Sequence, residues 1–161
     1  MSKAVFLDRD GVINQEIGDY IKRKEDFKLL PHAVKYIAAL HHKGVKVIVI
    51  TNQGGIAKGM YTKLALEEMH IHMHKEVEQA GGKITEVYYC PHHPDFGECL
   101  CRKPGSLLAQ KAVAKHQIEA VQSIFIGDKQ RDIECAEGAG IKGYLIQENE
   151  DWGYLIESFL K

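Results

Sequence analysis

Short apolar runs alternate with helix-patterned stretches along all 161 residues. That alternation predicts an α/β fold, a doubly wound, mostly parallel sheet with helices on both faces. Two further observations support it. The runs are rich in β-branched residues and bounded by turn residues, and no Pro/Gly/Ser-rich linker divides the chain. One domain over 1–161 is therefore expected, long enough to bury a core without staples. Neither of the first two long connections has room for a large cap domain.

The first strand is expected at 3–7 (KAVFL), followed by an irregular stretch over 14–30. Pro31 near a helix start, apolar positions at 34, 37, 38 and 40, and Gly44 as a stop predict the first helix. VKVIVI at 45–50 reads as the second strand. Thr62 is a suitable N-cap for a long helix closed by Gly81-Gly82. ITEVYY (84–89), SIFIGD (123–128) and KGYLI (142–146) supply three more strands. Shorter helices are expected at SLLAQKAVAKHQ, RDIECAEGAG and DWGYLIESFL, with Cys135 as a small core residue and Trp152 as a packing anchor.

Composition narrows the function. The formal net charge is -1, so no electrostatic footprint points to nucleic acid or an acidic membrane. No apolar run approaches the roughly 20 residues of a membrane span, and the N-terminal stretch lacks a secretory pattern. A cytoplasmic, reducing setting is the expectation, and there clustered cysteines more often hold metal than form disulfides.

Ligands of such a sheet gather beyond the carboxyl ends of its strands. DRDG follows the first strand with Asp8 and Asp10, and TNQGG follows the second with Thr51 and Asn52. CPHHPDFGECLCRKPG follows the third with Arg102 and Lys103, and GDKQRD follows the fourth with Asp128, Lys129 and Asp132. Every strand tip but the last thus brings reactive polar residues to one edge. Converging carboxylates suit a hard cation such as Mg²⁺. A hydroxyl, a backbone amide loop and a lysine opposite them suit a phosphoryl group.

In the loop over 90–101, Cys90-x-His92 and Cys99-x-Cys101 form the Cys₃His donor set of a structural Zn²⁺ site. His93 is an alternative to His92, and a plain reduced or redox-sensitive loop is the alternative to a metal. A clip there would fix the backbone just before Lys103. His70 and His74 stand one helical turn apart, but with no third ligand in reach they are expected on a solvated face.

FLDRDGVIN, TNQGGIAKG, CRKP and IGDKQRD, in this order, resemble the four motifs of the haloacid dehalogenase-like phosphohydrolases. Within that superfamily the cysteine loop and TNQGGIAKG are similar to the D-glycero-D-manno-heptose 1,7-bisphosphate 7-phosphatases, whose close relatives are histidinol-phosphate phosphatases. The resemblance implies a HAD-like fold and a Mg²⁺-dependent phosphatase acting through an aspartyl-phosphate. Asp8 would be the nucleophile and Asp10 the acid and base. Mg²⁺ would sit on Asp8, the Asp10 carbonyl and Asp128, with Asp132 supporting the metal's waters. Thr51, Asn52 and Lys103 would bind the phosphate. Among the loops, Arg102, Lys129 and the basic run Lys22-Arg23-Lys24 suit a second anionic group, and Glu16, Asp19 and Glu98 suit the cationic end of histidinol phosphate as the alternative. The expected partner is a small phosphorylated sugar or metabolite, with no nucleic acid and no membrane, and the expected state is a monomer. A phosphorylated receiver-like switch is the non-enzyme alternative, but its acids would be adjacent after the first strand and its phosphorylated Asp would follow the third. A nucleic-acid 3′-phosphatase lacks the basic or aromatic stripe it would need.

Overall fold

The computed structural model describes residues 1–161. Its parallel sheet has five strands: β1 (Ala4–Leu7), β2 (Lys46–Asn52), β3 (Glu86–Cys90), β4 (Ile124–Gly127) and β5 (Lys142–Leu145), in the order β3-β2-β1-β4-β5. The helices are α1 (Pro31–His42), α2 (Lys63–Gln79), α3 (Leu107–Lys115), α4 (Gln130–Gly138) and α5 (Gly153–Phe159). The expected elements are all present, with ends shifted by a residue or two at most strands. β3 begins at Glu86 because Thr85 is spent on β2, its N–H bonding the Val47 carbonyl and its hydroxyl accepting from the Val47 N–H.

Side chains of a strand point alternately to opposite faces, so each strand feeds two cores. Val5, Leu7, Val47, Val49 and Ile126 pack with Ile37, Leu66, Met73 and Ile156, burying the faces of α1, α2 and α5. Ala4, Phe6, Ile48, Ile50 and Phe125 pack with Leu108, Ala112 and Cys135 of α3 and α4. β1 to β3 step one way across the sheet and β4 returns to the other side of β1. The switch in strand order therefore falls between β1 and β4, where a crevice opens at the carboxyl ends.

Local chemistry places the helices that matter. Thr62 accepts the Ala65 N–H at 3.0 Å as the N-cap of α2. Pro31 opens α1, where its missing N–H costs nothing. Trp152 is fully buried, donates to the Val12 carbonyl at 2.8 Å and packs against His32 and Tyr36. It joins α5 and α1 to the segment after β1. Cys135 is fully buried in the second core, as expected.

Candidate active site

Asp8 directly follows β1 and Asp128 directly follows β4, so the pairing of Leu7 with Ile126 brings both to the crevice. Asp132, in the first turn of α4, joins them, and carboxylate oxygens of the three lie within 4.8 Å of one another. α4 can approach this closely because Gly127 has no Cβ; one there would overlap Asp132. Gly11 meets the same constraint on the other side, with a φ of 82° and room for a Cβ only 2.6 Å from Asp128 Oδ2.

Lys103 is buried among these acids. Its Nζ lies 2.7 Å from Asp8 Oδ1, 2.7 Å from Asp132 Oδ1, and donates to the Ile50 carbonyl at 2.7 Å. Burial works against its charge, but Asp8 and Asp132 hold its pKa above the ordinary lysine value. Burial pushes the Asp8 carboxyl up to about 8; Lys103 opposes that rise, and Asp132 and Asp128 add to it. Burial likewise raises Asp128, against the pull of Lys129. Both carboxylate oxygens of Asp128 are buried without a hydrogen-bond donor. Asp132 was expected near metal-bound waters. Its structural work is the Lys103 ion pair and a bond accepted from the Lys129 N–H at 3.1 Å.

Asp10 sits in a different setting. Its Oδ1 accepts from Arg9 Nη2 at 2.8 Å, Arg9 Nε at 3.2 Å and Asn14 Nδ2 at 2.9 Å, while Oδ2 accepts from Gln53 Nε2 at 3.2 Å. Burial works to raise this carboxyl, yet the Arg9 guanidinium and the Asn14 and Gln53 bonds hold it below the usual carboxylate range. Its backbone carbonyl accepts no backbone hydrogen bond. Arg9 is itself buried, stacks 5.0 Å over Phe27, and donates through Nη1 to His70 Nε2 at 3.3 Å. His70 is therefore buried rather than solvated. Burial and the neighbouring Arg9 push its pKa down to about 3. Its position was readable in the sequence: Leu66, Met69, His70, Met73 and Val77 form one helical stripe, and all five are buried. Arg9 and Gln53, each adjacent in sequence to an expected site residue, bear directly on Asp10.

Thr51 is buried and accepts from Gln53 Nε2 at 2.9 Å. Asn52, expected at the phosphate, spends its amide on Lys103, accepting the Lys103 N–H at 3.0 Å and donating to its carbonyl at 3.1 Å. Asn52 pairs in register with Cys90, so the clamp on Lys103 and the start of the cysteine loop share one rung of the sheet.

In that loop Cys90, His92, Cys99 and Cys101 bring one donor atom each within 4.8 Å of the others. Sγ of Cys90 is 3.6 Å from Cys99 and 2.9 Å from Cys101, and His92 Nδ1 is 3.4 and 3.2 Å from Cys90 and Cys101. All four cysteines of the chain are free thiols. His93 turns elsewhere, its Nδ1 accepting the Asp95 N–H at 3.2 Å. Burial works to raise the Cys99 thiol, but the Arg102 N–H and its two sulfur neighbours bring it down to about 7.

The crevice over these acids is a cavity of about 340 Å³. Asp8, Asp10 and Asp128 line its floor. Arg102, Lys129 and Arg131 line it as well, together with Glu16, Asp19 and Tyr20. Lys129 lies 3.5 Å from Asp128 Oδ2 and 3.6 Å from Glu148 Oε2. The basic run at 22–24 does not reach the cavity. Lys22 pairs with Asp19 and Arg23 with Asp26 at the surface, so Arg131 is the third cation of the site.

A family model described as polynucleotide kinase 3 phosphatase matches residues 3–152. A D-glycero-beta-D-manno-heptose-1,7-bisphosphate 7-phosphatase of Pseudomonas putida is 40% identical over 146 residues, covering 90% of this chain and 82% of that one. The corresponding alpha enzyme of Photorhabdus laumondii is 36% identical, over 86% of this chain and 79% of its own. Among solved structures, the D,D-heptose 1,7-bisphosphate phosphatase of B. bronchiseptica, complexed with magnesium and phosphate, superposes with a TM-score of 0.87. It shares 32% identity, over 96% of this chain and 86% of that one. No helix is long and apolar enough to cross a membrane. The motif order, the acid cluster at the switch point and these relatives agree: the chain belongs to the haloacid dehalogenase-like phosphohydrolases, in the family of the heptose bisphosphate 7-phosphatases.

Proposed function

We propose that this chain removes the 7-phosphate of D-glycero-D-manno-heptose 1,7-bisphosphate through an aspartyl-phosphate on Asp8. The observation that carries the reading is the pairing of two unlike aspartates at one strand tip. Asp8 lies among acids and a lysine, and Asp10 lies in a cage of N–H donors.

Asp8 attacks phosphorus, and the bond from phosphorus to the sugar oxygen breaks. Asp10 gives that oxygen its proton, then takes one from the water that opens the acyl phosphate and releases inorganic phosphate. The Arg9, Asn14 and Gln53 donors favour the ionised Asp10 that the second step needs. Lys103 and Thr51 face the phosphoryl oxygens, and Asn52 holds the Lys103 backbone. Arg102, Lys129 and Arg131 suit the second phosphate of a bisphosphate better than the cationic end of histidinol phosphate.

The donors present fit a hard cation. Asp128 has two buried oxygens with no donor, the Asp10 carbonyl is free of backbone bonds, and Asp8 is raised by burial and by its acidic neighbours. Asp8, Asp128 and the Asp10 carbonyl would hold Mg²⁺. Bound there, it would keep Asp8 ionised and draw charge from the phosphoryl oxygens. The Cys90, His92, Cys99 and Cys101 set fits Zn²⁺ as a structural ion. Metal–sulfur bonds of about 2.3 Å in a tetrahedron put sulfurs about 3.8 Å apart. Cys99 is 3.6 Å from Cys90 and 3.8 Å from Cys101, and the 2.9 Å between Cys90 and Cys101 would open on binding. One chain supplies the whole site, which suits a monomer, and the four free thiols suit the cytoplasm.

The test is kcat/KM for the heptose bisphosphate against histidinol phosphate, with Asp8→Asn as control. The heptose ester should be preferred by at least about a hundredfold, and Asp8→Asn should retain less than about a hundredth of kcat with an unchanged circular dichroism spectrum. Preference for histidinol phosphate would reverse the substrate assignment, and an active Asp8→Asn would remove the nucleophile.

A further inference from the structure

One wall of the cavity is the segment from Glu16 to Ile21, which contributes Glu16, Gly18, Asp19, Tyr20 and Ile21. It belongs to no helix or strand. Most of its hydrogen bonds are local: Gly18 N–H to Glu16 Oε1 at 2.9 Å, Tyr20 N–H to Asp19 Oδ1 at 2.7 Å. Such bonds shape the segment without attaching it to the body. Its backbone hydrogen-bonds to the rest of the chain at Glu16 alone, and both bonds go to one side chain. The far end is held by packing, with Ile21 in the core and Tyr20 against Tyr61. The Glu16 N–H donates to Asn149 Oδ1 at 2.7 Å, and Asn149 Nδ2 donates to the Glu16 carbonyl at 3.3 Å.

Asn149 is well placed to act as an anchor. It lies after β5, with a φ of 66°, a conformation asparagine tolerates better than most residues. Its own N–H donates to the Gly11 carbonyl at 2.8 Å, so it is fixed to the loop that carries Asp8 and Asp10. Three residues on, Trp152 is bonded to the Val12 carbonyl and fully buried. The anchor therefore spans from rigid core to substrate wall, across 133 positions of sequence.

We infer that Asn149 is a positioning residue for substrate selectivity: its side-chain amide fixes the Glu16–Ile21 wall against the catalytic loop, and so sets how tightly the non-reacting part of the substrate is held. The inference rests on the sugar phosphatase reading above, and it concerns binding of the sugar rather than attack on phosphorus. Asn149 touches neither the acid cluster nor Lys103, so chemistry on a small ester should not depend on it.

Asn149→Gly isolates the amide, because glycine adopts the same positive φ without strain. Kinetics with the heptose bisphosphate and with p-nitrophenyl phosphate, which has no sugar to meet the wall, separate the two effects. KM for the heptose ester should rise about tenfold with kcat within about twofold, and the aryl ester should be unaffected. Asn149→Asp keeps the acceptor for the Glu16 N–H and should recover part of the loss. Hydrogen exchange of the 11–21 peptides should quicken in the glycine variant. Equal losses on both esters, or unchanged exchange and KM, would overturn the role. A wild type that hydrolyses the aryl ester alone would defeat the substrate reading, and exchange would still decide whether Asn149 holds the wall.

Discussion

At the scale of single residues, two aspartates two positions apart hold opposite electrostatic states. Asp8 is pushed up by burial among Asp132 and Asp128, and Asp10 is pulled down by Arg9 and two amides. A cation on Asp8 and Asp128 would offset the rise at Asp8 and keep it in the ionised form that a nucleophile needs. The cost of the Asp10 cage includes a buried histidine that must stay neutral. His70 has its pKa lowered to about 3 by burial, while the unfolded chain keeps the ordinary value near 6.5. Between those values the unfolded state binds more protons, so stability is complete above pH 6.5 and falls as pH drops towards 3. Between pH 6.5 and 5 the loss from this group is about 2 kcal/mol. Chemical denaturation of wild type and His70→Gln at both pH values checks it. The variant should lose less on acidification by about that amount, and parallel pH profiles would refute it.

At the scale of elements, the loop between β3 and α3 places a Cys₃His set directly before the buried Lys103. Two independent devices fix Lys103: the Cys₃His set just before it, and the Asn52 amide bonded to both its backbone groups. Cys99→Ser should abolish stoichiometric Zn²⁺ binding by elemental analysis and lower kcat by up to about a hundredfold, as expected for a catalytic group displaced by roughly 1 Å. Added Mg²⁺ should not restore the rate, because it selects oxygen donors. Far-UV circular dichroism should be preserved, since Cys99 only borders the second core, and the core against α1, α2 and α5 contains no residue of the clip. A variant that loses zinc at full kcat would assign the positioning of Lys103 to Asn52 alone.

At the scale of the whole molecule, the C-terminal segment closes the fold over the loop after β1. Trp152 fills the space between α1 and α5 and ties Val12 to the core. Removing so large a buried side chain costs about 3–5 kcal/mol. Trp152→Ala should therefore lower the melting temperature by roughly 10 °C for a chain of this length. Differential scanning calorimetry reads the shift, and a change of less than about 2 °C would mean that α5 is not part of the cooperative core.

The alternation of strands and helices, the caps Pro31 and Thr62, and the polar residues at four strand tips were legible in the sequence alone. Each depends on periodicity or on a residue's position relative to its own element. The Cys₃His set was legible too, because its spacing constrains a single loop. What only the tertiary structure decided were contacts between distant segments. The basic run at 22–24 looked suited to a second phosphate, but folding turned it to the surface and brought Arg131 to the cavity instead. Asn52 lines the cavity, but only the fold shows that its amide also holds both backbone groups of Lys103, 51 positions away. The fifth strand tip looked inert, yet it brings Glu148 to Lys129 and Asn149 to Glu16. Sequence pattern reports which face of an element is buried. The partner on the other side is set by strand order and loop path, and these settle only when both cores pack at once.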